Sequence, residues 1–288
     1  MPTSLDELIY QTTQKMRSAW YSAHYVAAMR SAPSIEGPPE GPLPSWRTVY
    51  HDLNDLLERD WQNVREGLYP TPLPADTGPI ASARKSFAFF RDLSAVNRRR
   101  EAGDGQEVFN PDLRGRYPRY FLQNFHYQSG GYLTDESAAL YDHQVEVLFV
   151  GGADAMRRQC LGALTAFLQT TADRKAKHLD IACETGRFLA MLKDARPRLR
   201  VTGTDLSQPY LRETQRNLAD WSRTGLVHAN AEELPFADAS YDTLSCVFLF
   251  HELPQKARLR AAAEMARVLK PGGRLFFLDS VQIGDRPD

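Results

Sequence analysis

The chain has 288 residues, 42% hydrophobic and 25% charged, with a formal net charge of −1 at neutral pH. This is ordinary globular composition with ample material for a core, and it excludes a global field that would draw nucleic acid, anionic membrane or acidic substrates. The three cysteines (Cys160, Cys183, Cys246) form no CxxC pair, which favours reduced thiols in a cytoplasmic setting over a disulfide framework.

The N-terminus, MPTSLDELIYQ, carries acids and no apolar stretch, so it does not read as a signal peptide. No apolar run approaches the roughly 18–20 residues of a membrane span. Leu5, Leu8, Ile9, Met16, Trp20, Tyr21, Tyr25 and Ala28 recur at helical spacing and predict a helix over 5–30. After a proline-rich break at 33–44, a second helix over 46–68 is capped by Ser45, with Leu53, Leu56, Leu57, Trp61 and Val64 on its apolar face. A third, over 80–99, ends in Arg98-Arg99-Arg100; such a run could grip a phosphate, but it also complements the helix dipole. Residues 101–118 read as a linker. The aromatic segment YFLQNFHYQSGGYL at 120–133, with a Gly-Gly hinge, is either a lid over a small-molecule site or a staple for the N-terminal helices. Helices over 134–149, with Leu140, Val145, Leu148 and Phe149 inward, and over 153–170 complete the helical part. The expected division is a helical region at 1–118 and an α/β domain at 119–288.

From His178 the pattern changes. HLDIACETGRFLAMLKDARPRLRVTGTDLS reads as strand, tight turn, helix and strand, the βαβ unit in which a nucleotide-like ligand meets strand ends and a helix N-terminus. Asp205, closing the second strand, is placed to accept from both hydroxyls of a ribose. A helix capped by Ser207, a short strand at 226–228 and the apolar run YDTLSCVFLF at 241–250 follow. Pro254 opens a helix with Leu259, Ala262, Ala263, Met265 and Leu269 as its packing stripe. Lys270-Pro271-Gly272-Gly273 stops that helix, and RLFFLD at 274–279 is the last strand. Alternating strands and helices predict a doubly wound, mainly parallel sheet, with a ligand site where Ala182–Gly186, Asp205, Asn230 and His251 converge.

LDIACETGRF, VTGTDLS, NAEELPF, YDTLSCVFLFHELP and ARVLKPGGRLFFLD, in that order, resemble a class I S-adenosylmethionine-dependent methyltransferase. The flavour is that of the small-molecule enzymes of ubiquinone and menaquinone biosynthesis. The resemblance covers about 177–280 and implies a Rossmann-like fold, S-adenosyl-L-methionine as cofactor and methyl transfer to a small molecule. It assigns Asp180 to the cofactor's amino group and Ala182, Cys183, Glu184 and Gly186 to the glycine-rich turn. Asp205 becomes the ribose acid, with Leu206, Asn230 and Ala231 beside adenine and Phe248 near the sulfonium. Two features depart from the family. Glu184 stands where a glycine is usual, and too few residues follow Asp279 for the usual C-terminal strand pair, which puts the LFFL strand at an edge. Either the sequence is an incomplete version, or that edge is covered by the N-terminal layer or by a partner, with a homodimer through the last strand or the N-terminal helices as one form of cover.

Methyl transfer from a sulfonium needs alignment and a dry site, and a base only where the acceptor must lose a proton. His251, Glu252 and His126 are the candidate bases, and Tyr127 and Tyr132 the candidate substrate-pocket residues. Each histidine and tyrosine has a plain structural alternative. No His/Cys/Asp spacing points to a metal. The expectation is a methyltransferase acting on a small aromatic or apolar molecule. The alternative, suggested by Glu184 and by the missing C-terminal strands, is a catalytically weak methyltransferase-like binding or scaffold protein. A dehydrogenase is disfavoured by the lack of G-x-G-x-x-G, and a nucleic-acid methyltransferase by the lack of a basic patch.

Overall fold

The computed structural model describes residues 2–31, 45–72, 79–113, 115–124, 128–170 and 175–280. They cluster into a helical unit, Met1–Asn110 with Gln123–Gln159, and an α/β unit, Pro111–Leu122 with Cys160–Asp288. The division does not run at the expected break after residue 118. Gln123–Gln159 groups with the N-terminal helices, and Pro111–Leu122, read as mostly linker, groups with the sheet.

In the helical unit, α1 (Ser4–Ser31), α2 (Trp46–Arg65), α3 (Pro79–Ala102) and α4 (Asp135–Leu148) follow the predicted segments closely. Ser45 Oγ accepts from the Thr48 amide at 3.1 Å, forming the predicted cap, and Thr134 Oγ1 accepts from the Ser137 amide at 3.2 Å to cap α4. The buried face of α1 is another matter. It carries Tyr10, Gln14, Ser18, Tyr21, Ser22 and His24, while Leu5, Leu8, Ile9, Met16 and Trp20 are exposed. The inward face is chosen by hydrogen-bonding partners: His24 Nδ1 lies 2.8 Å from the Trp20 carbonyl and Nε2 2.9 Å from Ser86 Oγ. Leu148 on α4 is likewise exposed, and Ala138, Tyr141 and Val147 are buried instead. At the end of α3, Arg99 pairs with Glu107 at 2.5 Å.

The centre of this unit is the carboxylate of Asp60, fully buried on α2. Arg158 donates to it twice, Nε to Oδ1 at 2.8 Å and a terminal nitrogen to Oδ2 at 2.7 Å. The Tyr69 hydroxyl donates to Oδ1 at 2.7 Å and the Tyr10 hydroxyl to Oδ2. Tyr10 also stacks on Trp61, centroids 5.1 Å apart. Four donors on one carboxylate offset its desolvation and tie α1, α2 and the Arg158 segment together.

The α/β unit is a five-stranded, wholly parallel sheet in the order β3-β2-β1-β4-β5. The strands are β1 (Lys177–Ile181), β2 (Arg200–Asp205), β3 (Thr224–His228), β4 (Tyr241–Val247) and β5 (Leu269–Leu278). Preceding them is α5 (Ala153–Phe167), whose residues to Gln159 group with the helical unit, and between them run α6 (Arg187–Ala195), α7 (Gln208–Asn217) and α8 (Gln255–Val268). Leu179, Ile181, Leu244 and Cys246 pack on Ala257, Ala261, Met265 and Val268 of α8. Leu259, expected in that stripe, is exposed, because the buried face is set a residue or two away. Lys193 is fully buried, and its ammonium donates to the carbonyls of Pro197, Leu199 and Ser222 at 2.7–2.9 Å. The register of β4 on β5 jumps from Tyr241–Leu269 to Thr243–Arg274. The expected helix stop Lys270-Pro271-Gly272-Gly273 is therefore a bulge counted within β5.

The strand order reverses direction between β1 and β4, a switch point at whose strand C-termini open parallel sheets take ligands. Among the described strands β5 pairs only with β4 and is an edge, with Leu275 and Phe277 42% and 47% exposed. No strand is described after it, and residues 281–288 lie outside the described residues.

The helical unit yields one expectation. Asp60→Ala leaves the Arg158 guanidinium buried without its carboxylate and should cost about 3–5 kcal/mol, as is usual for breaking one side of a buried pair. Urea unfolding checks it: a midpoint equal to that of the unsubstituted protein would show that the pair does not hold the unit.

Candidate functional site

The turn after β1 is held open by its backbone. Ala182, Glu184 and Gly186 all have positive φ, at 56°, 53° and 77°. Only the last is a glycine, so Ala182 and Glu184 occupy a left-handed region that costs an L-residue about 1–2 kcal/mol. Gly186 has no substitute. A Cβ there would lie 2.5 Å from Thr214 Cγ2.

Contacts from two sides fasten this turn. From β2, Asp205 Oδ2 accepts the Glu184 amide at 2.9 Å, while Oδ1 accepts the Ser207 amide at 2.7 Å. From α7, Thr214 Oγ1 donates to the Glu184 carbonyl at 2.7 Å and Asn217 Nδ2 to the Thr185 carbonyl at 2.9 Å. Burial pushes the Asp205 carboxyl up to about 6, against the pull of the backbone amides. The Cys183 side chain is buried, and its Sγ lies 4.0 Å from Thr214 Oγ1. Burial drives that thiol well above its ordinary range, which argues against nucleophilic use.

The other residues read from the sequence gather at the same sheet edge. The Leu206 carbonyl lies 2.8 Å from His228 Nε2, and the Ala229 amide donates to the Asp205 carbonyl at 3.1 Å. Asn230 Oδ1 accepts the Glu232 amide at 3.0 Å, so one of its two lone pairs is already used. Ala231 is partly buried against the α8 side of the core. Phe248, just past β4, has φ 57°, and its amide donates to the Leu278 carbonyl at 2.8 Å. Asp180 on β1 is buried and accepts from Ser245 Oγ.

His251 and Glu252 lie in a short 3-10 turn after β4. His251 Nδ1 is 2.9 Å from Asp279 Oδ1, and Nε2 is 3.2 Å from Glu252 Oε1. Hydrogen bonds to Asp279 and then Glu252 raise the imidazole to about 10. Burial opposes ionisation of Asp279, but the bond from His251 and the Ser280 and Phe250 amides hold it down to about 2. At neutral pH His251 is therefore an imidazolium with both nitrogens donating. With a carboxylate oxygen facing each ring nitrogen, this geometry weighs against His251 as a base. His126 and Tyr127 lie outside the described residues. Tyr132 belongs to the helical unit, where it meets Tyr141 edge-on at 6.3 Å.

Sequence reading took 111–118 as linker and placed only Tyr120–Leu122 in the candidate lid or staple. The Tyr120 hydroxyl donates to Glu232 Oε1 at 2.6 Å, and Arg260 Nε donates to Oε2 of the same carboxylate at 2.6 Å. Burial works against ionisation of Glu232, but these two bonds outweigh it and keep the carboxyl below its ordinary value. Tyr117 stacks on Phe121 at 5.2 Å and meets the His228 ring edge-on at 6.2 Å. This strap rests on the Asn230–Glu232 loop. Its aromatic density was the available signal.

Two substitutions test the turn. Gly186→Ala should lower the unfolding free energy by about 1–3 kcal/mol, through the left-handed backbone and the Thr214 clash. Glu184→Gly should leave it unchanged or raise it by up to about 1 kcal/mol, because relief of strain exceeds the entropy added to the unfolded chain. Chemical denaturation of both variants decides, and the reverse order would mean that the turn is not strained as described.

The family described as a methyltransferase domain matches residues 179–273. A demethylmenaquinone methyltransferase of Lactiplantibacillus plantarum is 34% identical over 158 residues, 52% of this chain and 62% of that protein. One from Staphylococcus aureus strain JH9 is 39% identical over 107 residues, 37% of this chain and 44% of the relative. The chain thus spans less than two thirds of the length of these relatives. Among solved structures, the YcgJ protein of Bacillus subtilis aligns with 23% identity and a TM-score of 0.39, over 44% of this chain and 53% of that one. The family match lies over the turn, the Asp205 strand end and β4, so residues 179–273 are similar to a methyltransferase domain.

Proposed function

We propose that the chain binds S-adenosylmethionine and transfers its methyl group to a small aromatic or apolar molecule. The observation that carries the reading is the 182–186 turn fastened to Asp205 at the C-terminal edge of a parallel sheet. Asp205 takes the Glu184 and Ser207 amides, one on each oxygen, and the Leu206 amide as a third partner, and its remaining acceptor capacity would serve the ribose. Asp180 would hold the amino group, the backbone of 182–186 the methionine portion, Leu206, Asn230 and Ala231 the adenine, and Phe248 the sulfur side.

When bound, the cofactor supplies an electrophilic methyl group on a sulfonium. The protein's part is to align the acceptor and exclude water. Where the acceptor must lose a proton, His251 is unsuited to take it, and Glu252 is the remaining described carboxylate of the candidate set. The relatives' names support a flat ring as acceptor class. The buried, free cysteines support a reducing, cytoplasmic setting. Among the described residues no helix is long and apolar enough to cross a membrane. A second reading, a methyltransferase-like binding protein of low activity, is favoured by Glu184, an acidic side chain in the turn that would take the cofactor.

Calorimetry with S-adenosylmethionine and S-adenosylhomocysteine tests the binding reading, and absence of heat for both would sink it. Binding without transfer to a panel of quinols and phenols would favour the second reading. Asp205→Ala should weaken S-adenosylhomocysteine by one to two charge-assisted hydrogen bonds, each about 1.5–3 kcal/mol. The pH dependence has a definite sign. Ribose hydroxyls donate to the ionised carboxylate, so affinity should fall as pH drops through about 6. Without ligand, the raised carboxyl makes the fold lose stability as pH rises from its ordinary range through about 6. A flat affinity profile from well below to well above that value would count against Asp205 as the acceptor.

We also infer self-association through β5, whose exposed Leu275 and Phe277 lie on an edge strand. Light scattering should give a dimer that Phe277→Lys dissociates. A wild-type monomer rules it out, and a dimer insensitive to that change moves the interface to the exposed face of α1.

A further inference from the structure

The sheet carries a buried polar line of which the cofactor reading uses only Asp180. His178 and Asp180 stand two apart on β1, Thr243 and Ser245 two apart on β4, and the parallel register sets His178 beside Thr243 and Asp180 beside Ser245. All four are at most 2% exposed. Alternation puts them on one face of their strands, opposite Leu179, Ile181, Leu244 and Cys246. Burying four polar side chains there is costly unless every one is partnered.

Their hydrogen-bond order follows from what each group can donate. Asp180, as a carboxylate, only accepts, and a serine hydroxyl has one proton. Ser245 Oγ donates that proton to Asp180 Oδ1. His178 Nε2, 2.9 Å from Ser245 Oγ, must then carry a hydrogen and donate it. Burial pushes this imidazole down to about 3, so the ring is neutral. Nδ1 is therefore the bare nitrogen and accepts from Thr243 Oγ1 at 2.9 Å. Donation runs one way, from Thr243 through His178 and Ser245 to Asp180. Thr204 Oγ1 holds the same residue's backbone, donating to the Asp180 carbonyl at 3.2 Å.

We propose that His178 and Ser245 are positioning residues that fix the orientation of the Asp180 carboxylate for the cofactor's amino group. The inference rests on the proposed cofactor reading and adds two residues that never meet the ligand. A relay of rigid strand residues holds the carboxylate from inside the sheet, so its rotamer is set before ligand arrives.

The test compares two probes on the full chain: S-adenosylhomocysteine, which has the amino-acid portion, and 5′-methylthioadenosine, which lacks it. Ser245→Ala and His178→Leu should weaken the first about tenfold, equivalent to roughly 1.4 kcal/mol, and the second less than about twofold. His178→Gln, which keeps a donor toward Ser245, should restore most of the loss. Retained binding of 5′-methylthioadenosine shows that a variant is folded at the site. Equal weakening of both probes, or no weakening of either, overturns the positioning role. If the unsubstituted protein binds neither probe, the cofactor reading itself fails and this inference falls with it.

Discussion

The C-terminal edge of the sheet in the α/β unit depends on one carboxylate accepting backbone amides from two separate segments. Asp205 holds the Glu184 amide of the turn with one oxygen and the Ser207 amide at the start of α7 with the other. The helix then returns to the turn through Thr214 and Asn217. Turn, strand end and helix form a closed loop of hydrogen bonds, in which no member moves without breaking a bond to another. That closure lets a non-glycine residue persist in a left-handed conformation at 184.

Both units solve the burial of charge in the same way, by surrounding the ion with partners of the opposite polarity. Asp60 meets four donors from three side chains, and Lys193 places its three protons on three carbonyls. Neither arrangement maximises stability, since apolar replacements would avoid the desolvation. What they add is direction. A guanidinium fork or an ammonium with three fixed acceptors specifies one packing of the surrounding segments, where an apolar contact would permit several.

The strands, the turn and Asp205 were legible because their signals are local. A short apolar run ending in small residues, a following helical stripe and an acid at the next strand end all lie within about thirty residues. The faces of the helices were less legible. Periodicity fixes the spacing of a stripe and leaves its facing open, which is why Leu5, Leu8, Ile9, Met16 and Trp20 on α1, and Leu259 on α8, point outward. Interactions across long separations left no trace. Tyr120 reaches Glu232 from 112 residues away, and nothing near either residue announces the other. The state of His251 was hidden for the same reason: its second carboxylate, Asp279, comes from the far end of β5.

The three cysteines stand at three informative places: Cys160 in α5, Cys183 in the turn and Cys246 in β4. All are free and buried, and burial holds the Cys160 thiol up at about 12. A thiol that is both enclosed and protonated reacts with an alkylating reagent only when its surroundings open. The chain therefore carries its own set of local-opening reporters, with no label to introduce. The alkylation rate at Cys183 follows release of the turn, while that at Cys246 follows separation of the central strands, so the two motions can be timed independently in one sample.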